Sequence, residues 1–173
     1  MTHNIYLPDT LQFYDYDCGT TCAQAVLAYY GEDISEIKLL KKIKPSKKYG
    51  TKSAQIEKYF KNRGFTVHAG SMTITELKKF IHRKIPVILF LQAWGPDGTN
   101  YKNTQAYGHY AIVCGYNTKG IILEDPAIFG KGFLSYKELE KRWHGEDIGF
   151  LSQYGIAVWG KGRFNYKKLI KIT

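Results

Sequence analysis

The sequence predicts an α+β domain whose helical first half packs on an antiparallel sheet formed by the second half. Three observations lead there. Before Pro86, apolar residues recur at helical spacing in four segments; after it, they come in short continuous runs bounded by turn residues. The earliest helical segment is apolar on nearly every side, as a central buried helix would be. A chain of 173 residues with 44% apolar and 23% charged residues matches one globular domain, expected to span residues 1–173, and is long enough to bury a substantial core.

The elements follow in order. Asp17 caps a first helix that opens on Cys18, carries Cys22, Ala25, Val26 and Tyr29 inward, and stops at Gly31. A second runs from a Ser35 cap through Ile37, Leu39, Leu40 and Ile43 and ends before Pro45. A third begins near Ser53 and reaches Gly64 through Ile56, Tyr59 and Phe60. Phe65 to Ala69 is a short strand, and a Thr75 cap starts a fourth helix with Leu77, Phe80 and Ile81 inward. Val87 to Leu91 and His109 to Tyr116 read as strands, and the turn Asn117 to Gly120 leads into a third over Ile121 to Leu123. Ser135 and Glu138 form a capping box ahead of a short helix through Leu139 to Trp143. A late strand covers Gly155 to Trp159. The Gly- and Asn-rich segment Trp94 to Tyr107 is a long loop directly before His109 and a candidate lid.

Composition narrows the function classes. The formal net charge of +10 favours anionic partners, and the densest cluster is Lys41, Lys42, Lys44, Lys47 and Lys48. No aromatic-interleaved nucleic-acid signature accompanies it. The three cysteines lack zinc-ligand spacing and cannot all pair, so free thiols in a reducing compartment are expected, with neither metal nor cofactor. Met1 to Thr10 shows no export signal, and Pro86 to Leu91, the longest strongly apolar run, is too short to span a bilayer. A cytoplasmic protein is the expectation.

Cysteine chemistry is the strongest functional pointer. A thiol at the first turn of a helix feels the positive end of the helix dipole, which favours the nucleophilic thiolate. Gly19 beside it would let a substrate backbone approach. Gln12, six residues upstream of Cys18, is placed to fold back over the helix start and offer an amide donor to a developing oxyanion. Of five histidines, His109 opens an apolar strand after Gly108, and Asp125 ends the next strand. If the two strands pair across Asn117 to Gly120, the carboxylate can fix the imidazole tautomer, although a one-residue slip would reverse the face. The other histidines have plainer expectations: His3 near the terminus, His68 in the core, His82 on a basic helix face and His144 capping a helix end.

The stretch Gln12-Phe13-Tyr14-Asp15-Tyr16-Asp17-Cys18-Gly19-Thr20-Thr21-Cys22 resembles the cysteine block of the C39 peptidases, papain-like domains that cut leader peptides from bacteriocin precursors. Gly50-Thr51 followed by Arg63-Gly64-Phe65 is similar to a second block of that family, Gly108 to Gly115 resembles its histidine block, and Glu124 to Ala127 its aspartate block. The likeness runs from about residue 10 to about residue 160. It implies a papain-like fold with Cys18 as nucleophile, His109 as base, Asp125 as orienter and Gln12 in the oxyanion hole. It also implies a capping part for Asp17 and a packing part for Cys22.

Leader-cutting members are usually fused to a membrane-spanning, ATP-hydrolysing exporter, which these residues do not contain, so cleavage after a double glycine is not carried over. The expected function is a stand-alone cysteine peptidase acting on a peptide or protein. A deamidase or acyltransferase of the same fold and a non-catalytic binding module are the alternatives.

Overall fold

The computed structural model describes residues 3–147 and 149–162, so the ends of the expected 1–173 domain lie outside the described residues. The elements in chain order are β1 (His3–Asn4), α1 (Cys18–Tyr29), α2 (Glu36–Ile43), α3 (Ser53–Asn62), β2 (Thr66–Ser71), α4 (Ile74–His82), β3 (Val87–Gln92), β4 (Gly108–Tyr116), β5 (Gly120–Glu124), β6 (Lys131–Ser135), α5 (Tyr136–Arg142), β7 (His144–Glu146), β8 (Phe150–Ser152) and β9 (Tyr154–Trp159). Six strands form an antiparallel path in the order β2-β9-β3-β4-β5-β6, and β1 pairs with β4 beyond the end of β3. β7 and β8 form a separate hairpin. This is the α+β, papain-like arrangement the sequence predicts.

α1 is the hub. Ten of its twelve residues are buried, and Gln24 and Ala28 are the two half-buried ones. It packs against β4 on one side and against α2 and α3 on others. Gly19 makes this approach feasible: a Cβ there would lie 2.8 Å from Thr51 Cβ and 2.9 Å from a Tyr110 ring carbon. The glycine therefore serves helix packing, which corrects the expectation that it clears a path for substrate. β3 is buried at every position and β4 at seven of nine, as their unbroken apolar runs require.

Helix starts depart from expectation in three places. Asp17 stands at the N-cap position of α1, but its carboxylate accepts no capping bond; Oδ2 takes the Tyr14 N–H at 3.2 Å instead. Ser35 precedes α2 without a side-chain cap, and Ile37 is 67% exposed because it falls outside the Leu39–Ile43 stripe. The cap of α4 is Thr73, in a reciprocal box with Glu76, and Thr75 lies inside the helix. Ser35 and Thr75 each offered a hydroxyl in the right stretch, but only Thr73 has the acidic residue three positions on that completes a box. The box at Ser135 and Glu138 forms as read.

β6 and the β7–β8 hairpin have no counterpart in the sequence reading. β6 includes Lys131, Gly132 and Ser135, and β7 and β8 are three residues each, too short for alternation to register. His3 is paired in β1 with its ring stacked on Tyr116 at 4.8 Å. His68 is exposed on β2, not in the core. Among the described residues, no helix is long and apolar enough to cross a membrane.

Candidate active site

Cys18 is the first residue of α1, where the leading N–H groups have no intrahelical acceptor. Its side chain is buried at 7% exposure, yet it lines a cleft of about 330 Å³. The cleft walls include Gly50 and Thr51 between α2 and α3, Phe90 of β3, Gly108 and Tyr110 of β4, and Asp147 next to β7. Phe90 lies between two glycines, Gly108 and Gly145, because a Cβ on either would overlap its ring. Asp147 Oδ2 accepts from the Ser53 N–H at 2.8 Å and from its hydroxyl at 2.5 Å, fixing the wall to the start of α3.

His109 enters β4 one residue after Gly108 and is 6% exposed. Its Nε2 lies 2.8 Å from Asp125 Oδ1, although the residues are sixteen apart in the chain. The ladder explains how they meet. Tyr116 faces Ile121 and Gly115 faces Ile122, but Val113 faces Leu123 and Ile112 faces Glu124, so Cys114 is an extra residue in β4. One step further, this register sets Asp125 against Ala111, which shares a face with His109. An unbroken ladder from the turn would set Asp125 against Ile112 and point it to the opposite face.

The electrostatics of the pair are lopsided. Burial pulls the His109 imidazole down, but its hydrogen bond to the Asp125 carboxylate and its interactions with Cys18 outweigh that and raise its pKa to about 9. An imidazolium is thus favoured beside Cys18 at neutral pH. Asp125 is anchored by more than His109: Oδ1 also accepts the Ala127 N–H at 2.9 Å, and Oδ2 accepts the Trp94 indole N–H at 3.3 Å.

Gln12 lies in the loop before α1, and its backbone N–H donates to Pro126 O at 2.8 Å, so the turn after Asp125 also holds the segment that carries Gln12. Its Nε2 donates one hydrogen to Tyr14 O at 3.0 Å, and its Oε1 is buried without a hydrogen-bond partner. Gln12 is not among the residues lining the Cys18 cleft. Burial drives the thiols of Cys22, well up, and Cys114, to about 12, far from thiolate chemistry. His144 Nε2 faces Lys141 O at 3.1 Å at the end of α5, as the capping expectation requires.

The Lys cluster reaches this region. All five of its lysines are exposed, and Lys47 and Lys48 line the cleft itself. Trp94, Phe90 and Tyr110 were not singled out from the sequence. Tyr110 adjoins His109, so an inspection of the histidine's neighbours finds it; nothing local links Trp94 to Asp125.

Comparisons with known proteins place the chain in a family and a fold. The Peptidase C39 family matches residues 7–151. The lactococcin-G-processing and transport ATP-binding protein LagD of Lactococcus lactis subsp. lactis is 31% identical over 160 residues, covering 90% of this chain. The chain spans about a fifth (19%) of the length of that relative. A C39-like peptidase structure from Bacillus anthracis superposes with a TM-score of 0.74 at 15% identity, covering 94% of this chain and all (100%) of that one. A double glycine motif protease from an AMS/PCAT transporter, in complex with its leader peptide, gives 0.67 at 18% identity over 90% of this chain and 93% of that one. The peptidase domain of Streptococcus ComA gives 0.66 at 20% identity over 92% and 99%.

Proposed function

The chain belongs to the peptidase C39 family, and from that premise we propose that it is a cysteine peptidase in which Cys18, His109 and Asp125 form the catalytic triad, with Gln12 completing an oxyanion hole. The observation that carries the reading is the buried His109–Asp125 pair beside a thiol that opens a helix and lines a cleft. Nε2 is engaged by Asp125, which leaves Nδ1 as the ring atom for Cys18.

The chemistry follows from these positions. The Cys18 thiolate attacks the substrate carbonyl carbon, a C–S bond forms, and the π pair moves onto oxygen. That oxygen takes hydrogen bonds from the Cys18 backbone N–H and from the second Nε2 hydrogen of Gln12. The tetrahedral species collapses, the C–N bond breaks, and the leaving amine takes the His109 proton. Water then attacks the thioester, gives its proton to His109 and releases the carboxylic acid, restoring thiolate and imidazolium.

A peptide is the favoured substrate class; the similar transporter protease that holds a leader peptide supports it. Lys47 and Lys48 on the cleft wall favour acidic side chains near the scissile bond.

The test compares the whole chain with its Cys18→Ala variant by mapping new peptide termini in a protein extract. Cleavages present with the unaltered chain should vanish in the variant, together with labelling by a thiol-directed inhibitor. Hydrolysis that survives the substitution rules out Cys18 as nucleophile. Products of unchanged length that carry Gln-to-Glu conversions would assign deamidation instead.

A further inference from the structure

We infer that Trp94 is a positioning residue for the His109–Asp125 pair: its indole N–H holds the rotation of the Asp125 carboxylate and shields the outer carboxylate oxygen from a neighbouring cavity. The inference rests on the triad reading above.

The two oxygens of Asp125 are served differently. Oδ1 accepts from His109 Nε2 and from the Ala127 N–H, whereas Oδ2 accepts from the Trp94 indole N–H, at 3.3 Å. A carboxylate bonded through one oxygen alone can swing about its Cβ–Cγ bond. A donor on the second oxygen stops the swing and keeps Oδ1 on the imidazole.

Trp94 is an unusual residue for packing purposes. It is 56% exposed, and its backbone sits in the left-handed region at φ 61°, which a bulky side chain rarely adopts. The surrounding loop enforces this conformation. Ala93 N–H donates to Tyr107 O at 2.9 Å, and Gly95 N–H donates to the Tyr101 hydroxyl at 2.9 Å. Tyr101 is itself gripped, with the Arg142 guanidinium 3.6 Å from its ring centroid and His144 Nε2 2.7 Å from its carbonyl. The segment expected as a lid is therefore a braced arm that delivers one indole N–H to Asp125.

A cavity of about 400 Å³ adjoins this contact and is lined by Leu91, Trp94, Leu123, Asp125, Phe133 and Arg142 among others. It has room for several waters. With the indole gone, Oδ2 would bond water in that cavity, and a hydrated, rotating carboxylate holds the His109 proton less firmly. The titratable groups near the pair are Cys18 from α1, which acts on His109, and the Cys22 thiol of the same helix, which burial keeps protonated and which Asp125 also influences. Asp97, Glu138 and Arg142 border the cavity.

The experiment uses the full chain and needs no substrate. The His109 ring is titrated by NMR, and iodoacetamide alkylation mapped to Cys18 is followed across the same pH range. In the unaltered chain the ring should lose its proton near pH 9. Trp94→Phe keeps the ring and deletes the N–H; it should lower that midpoint by roughly half a pH unit or more, and Trp94→Ala by more. In an Asp125→Asn background, Trp94→Phe should add nothing. A Trp94→Phe midpoint that stays or rises, or a fall that persists in the Asp125→Asn background, overturns the inference. So does a uniform loss of alkylation with an unmoved midpoint, which marks a packing role alone.

If Trp94→Phe does not fold, the indole Nε1–H resonance of the unaltered chain serves instead. Movement in step with the His109 titration supports the contact, and a flat response overturns it. Loss of the triad reading looks different: the unaltered His109 would titrate near its ordinary ~6.5 and Cys18 would react as a free thiol.

Discussion

Asp17 sits directly before Cys18, is fully buried, and leaves its Oδ1 without a hydrogen-bond partner. Burial, and then the nearby Glu36 carboxyl, push its pKa up from 3.8 to about 6. A carboxyl raised in the folded state favours folding most below its unfolded pKa, and that contribution is lost as pH rises through about 6. Above that pH the chain carries a buried, poorly bonded charge. Asp17→Asn, which can still accept the Tyr14 N–H, should therefore raise the unfolding free energy by about 1–3 kcal/mol near neutral pH and much less at about pH 4. Urea unfolding at the two pH values measures the difference. An equal effect at both would mean that the charge is not what the fold opposes.

At the scale of elements, the contact between α1 and its neighbours fixes where the thiol stands. Gly19→Ala would bring a methyl against Thr51 and Tyr110, with 2.8 and 2.9 Å to their nearest atoms. Both are buried, Thr51 in the loop before α3 and Tyr110 in β4, so neither can move aside freely. The expected cost is about 1–3 kcal/mol from overpacking, together with slower Cys18 alkylation because the helix start is displaced. Thermal melting and alkylation rate check it; an unchanged melting temperature would show that the junction has slack. α1, α3 and β4 were legible in the sequence because apolar periodicity and runs of five residues or more are local signals. The Thr73 cap was mistaken for Thr75 because both hydroxyls precede the same apolar stripe, and β6, β7 and β8 are short or Gly-containing strands formed by pairing rather than by pattern.

For the whole molecule, charge is the distributed property. The formal net charge is +10, and the Lys41 to Lys48 cluster ends at the cleft through Lys47 and Lys48. None of the cluster's five lysines enters an ion pair among the described residues. An acidic peptide should thus be steered to the cleft, and its kcat/KM should fall by roughly tenfold between low salt and ~0.5 M salt. A neutral peptide of equal length should change far less. Equal salt sensitivity for the two would assign the cluster to solubility alone.

The sequence by itself determined the apolar helix that opens on Cys18, the motifs that carry Gln12, Cys18, His109 and Asp125, and the division into helices and sheet, because each is written in a local motif or period. The tertiary structure decided that His109 and Asp125 share a face, since that depends on one extra residue at Cys114, and register is a property of two strands together. It also decided the contact between Trp94 and Asp125, thirty-one residues apart, which exists only because a braced loop holds a strained backbone over the sheet end. Neighbouring side chains in a fold need not be neighbours in any pattern along the chain.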